Sequence, residues 1–312
     1  MPYLTDAPQG AGPLAQQAMT VLYQHRLVST AQLHQLLTPH HTTAEYLRRQ
    51  LHTLRDAGMA DFVIRRANGR KDNQWWLTPK GAESVEAAGL LPDRPYRMSR
   101  EIAEGPLQEH TLATVETGIA FTSWARAAGH DCGPLDWAPE IAHYYRDSSR
   151  PSEELVLVPD AVLHYVHADR RSRTLLTFFV EIDRATMNVA RVAHKLHAYA
   201  SYHRYVPAPS GGRGRPTGRR STTPAWRSRY PTFPRLLLVF TGAAPARLEQ
   251  RIADLRALAA GDPLLVAQQL RAGVTTLDQL RDRGPFAPIF TPVLGAAEPV
   301  DAWLRTSAAA AA

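Results

Sequence analysis

Cysteine is nearly absent: Cys132 is the one cysteine in 312 residues. No internal disulfide and no cysteine-based zinc site can therefore form, and that scarcity fits a reducing cytoplasm. No run approaches the roughly 18 apolar residues of a membrane span. Met1 to Gly12 lacks the basic-then-apolar pattern of a secretory leader. No two histidines are separated by a single residue, which excludes the His-hydrophobic-His metal site of rolling-circle relaxases. There is no His-Glu-x-x-His and no glycine-rich loop ending in Lys-Ser/Thr, so zinc-dependent and ATP-driven mechanisms have no foothold. Cys132 has no evident partner that would activate it as a nucleophile.

Acid is also in short supply. Lys and Arg number 36 against 29 Asp and Glu, a net charge of +7 and a pI near 9.7. That balance favours a polyanionic partner, nucleic acid ahead of membrane. The length suggests about two domains.

Leu14 to Arg26 carries a helical apolar stripe at Leu14, Ala18, Val21 and Leu22. Ser29-Thr30-Ala31-Gln32 reads as a capping box opening a helix that buries Leu33, Leu36 and Leu37. Thr42-Thr43-Ala44-Glu45 reads as a second box, starting a helix to about Ala57 with Leu47, Leu51 and Leu54 inside. Arg48, His52 and Arg55 share its outer flank, and Gly58 is the expected C-cap. Met59 to Ile64 and Gln74 to Leu77 then read as strands around a basic tip containing the hairpin dipeptide Asn68-Gly69. Three helices and a basic hairpin predict a winged helix-turn-helix over 1–89. Its third helix would enter the major groove and its wing would touch phosphates. The expected DNA contacts are Arg48, Arg49, His52, Arg55, Arg65, Arg66, Arg70 and Lys71. A small helical domain with a solvated arginine face is the plainer alternative.

Residues 90–106, rich in Pro and charge, read as a linker to a second domain over 107–300. A long helix, Leu107 to Ala128, is followed by a strand within Ile141 to Tyr145. Val158 to Val166 and Thr174 to Ile182 form a hairpin about Arg170, and Thr186 to His203 a helix. Arg235 to Phe240 is a buried strand, Ala246 to Ala260 an amphipathic helix, and Phe286 to Val293 a last extended piece. Residues 207–231 hold six arginines and no acid, which predicts a disordered basic loop. It reads equally as a phosphate-contacting arm or a surface insertion. Residues 301–312 form a tail.

In the hairpin about Arg170, Asp160 would face Glu181, and alternation puts Glu181 and Asp183 on one face. Three carboxylates, Asp160, Glu181 and Asp183, then suit a hard divalent cation, Mg²⁺ or Mn²⁺. A cation beside them is missing from the hairpin itself. Lys195, one helix later, or Arg184, next in sequence, can supply it, and Lys195 is preferred because its long side chain can bend back toward the strand ends. The bland reading is that Asp160 caps a turn after Pro159, while Glu181 and Asp183 pair with arginines. Against it, Glu181 follows an apolar run from Leu175 to Val180, where a charge needs a partner or a metal.

The order helix, strand, strand, strand, helix, strand resembles a restriction-endonuclease-like core. Pro159-Asp160 with Glu181-Ile182-Asp183 looks like the PD-(D/E)xK pattern, with Asp where Lys is expected. The chain also resembles the replication-relaxation family of actinobacterial plasmids and mobile elements. That resemblance rests on Arg48-Arg49-Gln50-Leu51-His52-Thr53-Leu54, Trp76-Leu77-Thr78-Pro79-Lys80-Gly81, Val158-Pro159-Asp160, Phe179 to Thr186 and Lys195-Leu196-His197-Ala198-Tyr199. It implies a part in plasmid replication and DNA relaxation, and the family carries the same Glu-x-Asp. The expectation is an α/β (α+β) protein that binds double-stranded DNA and nicks it with a divalent metal. The alternative is a non-catalytic replication initiator or transcription regulator. A homodimer and replication proteins are left open as partners.

Overall fold

The structure, a computed structural model, describes residues 12–67, 70–147, 152–207 and 222–305. The chain is α+β and divides into two units, Met1–Pro139 with Val166–Ser172, and Glu140–Tyr165 with Arg173–Ala312.

In the first unit the order is α1 (Pro13–His25), β1 (Val28–Ser29), α2 (Thr30–Leu37), α3 (Glu45–Asp56), β2 (Ala60–Ala67), β3 (Arg70–Leu77) and α4 (Pro79–Ala87). Pro at the first turn starts α1. The Ser29–Gln32 capping box opens α2 as expected. The second expected box does not form: α3 starts at Glu45 with Ala44 as its N-cap and no side-chain cap. Glu45 instead lies in the first turn, where its charge favours the positive end of the helix dipole. Gly58 does end α3, at φ +71°, with Met59 N–H donating back to Leu54 O. β2 and β3 pair antiparallel from Ala60↔Leu77 to Ala67↔Arg70, longer than the apolar runs alone suggested. β1 adds to β3, giving the sheet order β1-β3-β2. Asn68 and Gly69 lie outside the described residues.

Two expectations at the end of this unit need correction. Part of the linker is built into the unit: α5 (Arg100–Ala103) is capped by Ser99, Arg97 pairs with Glu86 and Arg94 donates to Gln24. The long helix α6 (Gln108–Ala128), assigned from sequence to the second domain, packs on α2 and β1. Gln32, already used in the cap, donates to Leu112 O and Glu116, and Arg126 donates to Gln35 O. Gly118 lets α6 approach the indole of Trp137, on β4 (Trp137–Pro139).

The second unit begins with an antiparallel ribbon of β5 (His143–Tyr145) and β6 (Leu155–Leu157). Pro159, which cannot donate to a ladder, holds back the strand expected from Val158. β7 (Ala161–Ala168) starts only after Asp160 and belongs from Val166 to the first unit, and β8 (Arg173–Asp183) follows. Then come α7 (Val189–Arg204), capped by Asn188, β9 (Arg235–Phe240), α8 (Pro245–Ala260), α9 (Pro263–Gln268), β10 (Ala272–Thr276), α10 (Leu277–Arg283) and β11 (Thr291–Pro292). In the sheet β11, β10, β9, β8 and β7 are neighbours in that order. β8, β9 and β10 run parallel, joined by the helical crossovers. β9 is buried at every residue, as a central parallel strand should be. Helices α7, α8 and α9 pack together, and Phe179, Tyr199, Leu238, Phe240, Leu248 and Leu255 share one core.

The basic stretch 207–231 splits. Residues 208–221, with Arg213, Arg215, Arg219 and Arg220, lie outside the described residues. The expectation of disorder fails for 222–231, where a 3-10 turn (Ala225–Ser228) buries Trp226 and Tyr230 in the core. Two large aromatic rings within the arginine run outweigh its charge.

Candidate functional site

The end of β8 carries two buried acids, Glu181 and Asp183. Parallel pairing with β9 sets them opposite Leu238 and Phe240. Both are half of a pair, but with different partners.

Glu181 meets α7. Lys195 and Tyr199 stand four residues apart, on one helix face, and Lys195 Nζ donates to Glu181 Oε2 while Tyr199 OH donates to Oε1. Asp160, at the start of β7, accepts from Ile182 N–H through Oδ2 at 2.7 Å, and its Oδ1 lies 3.7 Å from the same Lys195 ammonium. The register argument thus put Asp160 beside Glu181 correctly, and Lys195 does bend back to the strand ends. The Lys195 side chain is 37% exposed while Glu181 is 9% exposed. The cluster is therefore reachable from solvent at the lysine and dry at the glutamate.

Two carboxylates beside one ammonium leave a net negative charge in a buried place. Burial first, and Asp160 second, push the Glu181 carboxyl up to about 8, with Lys195 and Tyr199 pulling the other way. Burial pulls the Lys195 ammonium down, but Glu181 and Asp160 outweigh it and hold its pKa above the ordinary lysine value. The Tyr199 hydroxyl is raised by burial and by the same carboxylates, so it stays a donor. The cluster therefore favours a proton on Glu181 and keeps the charge on Lys195.

Asp183 departs from the expected triad of carboxylates. It is gripped by Arg251 of α8, whose Nε and Nη2 reach its two oxygens, Nη2 at 3.1 Å, and Ala185 N–H donates to Oδ1. The pair is 11% and 8% exposed. Asp183 is thus spent on an arginine, as the bland reading allowed. Among the described residues no group of three or more His, Cys, Asp or Glu converges to hold a metal ion. The remaining donor set, Asp160 and Glu181, still suits Mg²⁺, which is bound through one or two carboxylates with water completing its shell.

Two residues of the cluster were missed in the sequence. Tyr199 read as an inward-facing apolar residue, though its spacing from Lys195 placed it beside Glu181. Arg251 stands between Leu248 and Leu255, both buried on α8. An arginine inside an apolar stripe is the signal of a buried acid partner.

Residues 19–213 match the replication-relaxation family. The chain belongs to this family. Membership links it to the replication or relaxation of plasmid and mobile-element DNA. Neither the curated proteins nor the solved structures contain a significant match.

The other family segment, Arg48 to Leu54, lies on α3 of the first unit. Arg48, Arg49, Arg55 and Lys71 are exposed, but not equivalently. Arg55 lies over the Phe62 ring at 5.0 Å and 3.8 Å from Asp61. His52 is half-buried, edge-on to Trp75 at 5.3 Å and to Phe62 at 5.8 Å. Both residues brace the hairpin against the helix. Arg65 pairs with Glu109 on α6 at 2.5 Å. Arg49 covers Tyr46 at 5.5 Å. The side chains of Arg66 and Arg70 lie outside the described residues. No helix among the described residues is long and apolar enough to cross a membrane.

Proposed function

We propose that this replication-relaxation protein binds double-stranded DNA through a winged helix-turn-helix in its first unit and nicks it in a restriction-endonuclease-like second unit. The observation that carries the nuclease reading is the seat of Lys195. Its ammonium reaches Glu181 and stands 3.7 Å from Asp160, restoring from α7 the cation that Glu181-Ile182-Asp183 lacks. Asp160 and Glu181 would hold Mg²⁺ or Mn²⁺; Asp183, held by Arg251, drops out of the ligand set. Such an ion, when bound, lowers the pKa of a coordinated water and offsets charge on a scissile phosphate.

The chain's own residues do the rest. Tyr199 fixes one oxygen of Glu181 and so aims the other at Asp160 and Lys195. Ile182 N–H fixes Asp160 in the same way. Lys195, partly exposed, is the group able to swing from the carboxylates to a phosphate oxygen, where it would steady developing charge. A proton held by Glu181 competes with the metal, so nicking should rise with pH through about 8. In the first unit Arg48, Arg49 and Lys71 are the exposed cations of helix and wing, with His52 and Arg55 assigned to bracing.

One observation favours the second reading, a non-catalytic initiator or regulator. Both Glu181 oxygens already accept hydrogen bonds within the chain, as in a purely structural polar core. Titration of Mn²⁺ into the protein separates the two. The nuclease reading expects binding that Asp160→Asn and Glu181→Gln each abolish; no binding in the wild type supports the regulator.

A further inference from the structure

A second cluster of metal-ligating side chains lies in the first unit. Gly129, at φ +71°, ends α6, and His130 N–H donates back to Ala125 O, which fixes the backbone that carries His130. The next residue, Asp131, forms an antiparallel bridge with Val166: Asp131 N–H donates to Val166 O at 3.0 Å, and Val166 N–H donates to Asp131 O at 2.9 Å. In an antiparallel pair the residues next to such a bridge face each other, with their side chains together on one face. Those residues are His130 and His167. Their ring centroids are 4.2 Å apart and their planes 52° apart. Downstream, Asp169 accepts from Arg171 N–H and Ser172 N–H, which stiffens the turn after His167. Two half-buried imidazoles are thus held side by side by a helix cap and a turn at either end of one bridge.

We propose that His130 and His167 form a two-histidine site for a borderline divalent transition-metal ion, of which Zn²⁺ and Ni²⁺ are examples. Imidazole nitrogen suits these ions, which it approaches to about 2 Å. At a centroid separation of 4.2 Å the two rings are close enough for one nitrogen of each to share an ion at that reach. A ligand must be unprotonated, so the site is tested at neutral pH. No third His, Cys, Asp or Glu among the described residues joins the pair, so water or an anion completes the shell. The bound ion would tie the end of α6 to the end of β7 across the Asp131–Val166 bridge. This site is separate in residues and in ligand chemistry from the oxygen ligands Asp160 and Glu181.

The test is calorimetric titration of Ni²⁺ into chelator-stripped full-length protein at neutral pH, with a melting curve in each case. The wild type should bind an equivalent that both His130→Gln and His167→Gln lose, apart from any ion taken up at Asp160 and Glu181. It should also gain more melting temperature with Ni²⁺ than the two variants do. Asp160→Asn/Glu181→Gln and His194→Gln/His197→Gln should keep that equivalent. Wild-type protein without binding, or histidine variants that titrate like wild type, would overturn the proposal. So would loss of the equivalent in either control. Metal-free melting curves show whether each variant is folded, so an unfolded variant cannot imitate a lost site.

Discussion

At the scale of single residues, the second unit depends on how its buried charges are paired. Asp183 and Arg251 are both nearly inaccessible, and removing one partner strands the other. Arg251→Met should therefore destabilise the protein by about 3 kcal/mol or more, read from urea unfolding. Adding Asp183→Asn should recover much of that loss, because no unpaired carboxylate remains. Glu181 gives a pH signature. Its folded pKa, about 8, lies above the ordinary 4.5, so the native state holds the proton more tightly than the unfolded chain. Its stability contribution is full below pH 4.5 and is lost as pH rises through 8. The urea midpoint should fall between pH 7 and pH 9 in the wild type and stay flatter in Glu181→Gln. Equal slopes would mean that Glu181 is ionised throughout.

Residue-level chemistry was only partly legible in the sequence. Asp160, Glu181 and Lys195 could be brought together from strand alternation and side-chain reach. The fate of Asp183 could not be read, because its partner lies 68 residues away on another helix. Arg55 and His52 looked like free groove-facing groups, since helical spacing shows which face a residue takes but not whether a neighbouring hairpin covers it.

At the scale of elements, caps and breakers explain where the reading held. Ser29 with Gln32 and Gly58 act where the sequence places a cap or a stop, and Gly129 ends α6 in the same way as Gly58 ends α3. Ser29→Ala should cost about 1 kcal/mol, and more if Gln32 also loses its hold on Leu112 O. Pro159 divides β6 from β7, a break that hydrophobic content alone hides. The parallel strand β10 was missed: Ala272-Gly273-Val274-Thr275-Thr276 is short, and its pairing with β9 has no local turn to announce it. The helix α6 was predicted, but its partner was not, because periodicity gives a face and no address. Gly118 marks where that face meets Trp137. A Cβ there would come within 2.3 Å of the indole, so Gly118→Ala should lower stability by about 1–3 kcal/mol through overpacking. A thermal melt would show it. An unchanged melting temperature would mean that α6 and Trp137 are not packed as described.

At the scale of the whole molecule, a basic chain in the replication-relaxation family carries an exposed arginine helix in one unit and a carboxylate–lysine cluster in the other. The two predictions can fail separately. Arg48→Ala/Arg49→Ala should weaken duplex binding and reduce the slope of log affinity against log salt by about 2, since each cation lost releases fewer counterions. Arg55→Ala should act mainly through stability, because its guanidinium is engaged with Phe62 and Asp61. Unaltered affinity and slope in the double variant would place DNA elsewhere on the protein.

The nuclease claim is tested most directly on supercoiled plasmid that the protein is shown to bind, with Mn²⁺ or Mg²⁺ and with EDTA. Wild type should yield open circles only with metal, and Asp160→Ala, Glu181→Ala and Lys195→Met should not, while Asp183→Asn/Arg251→Met, if folded, should retain activity. Bound plasmid that stays supercoiled with every metal, or nicking that survives loss of Glu181, would contradict the account.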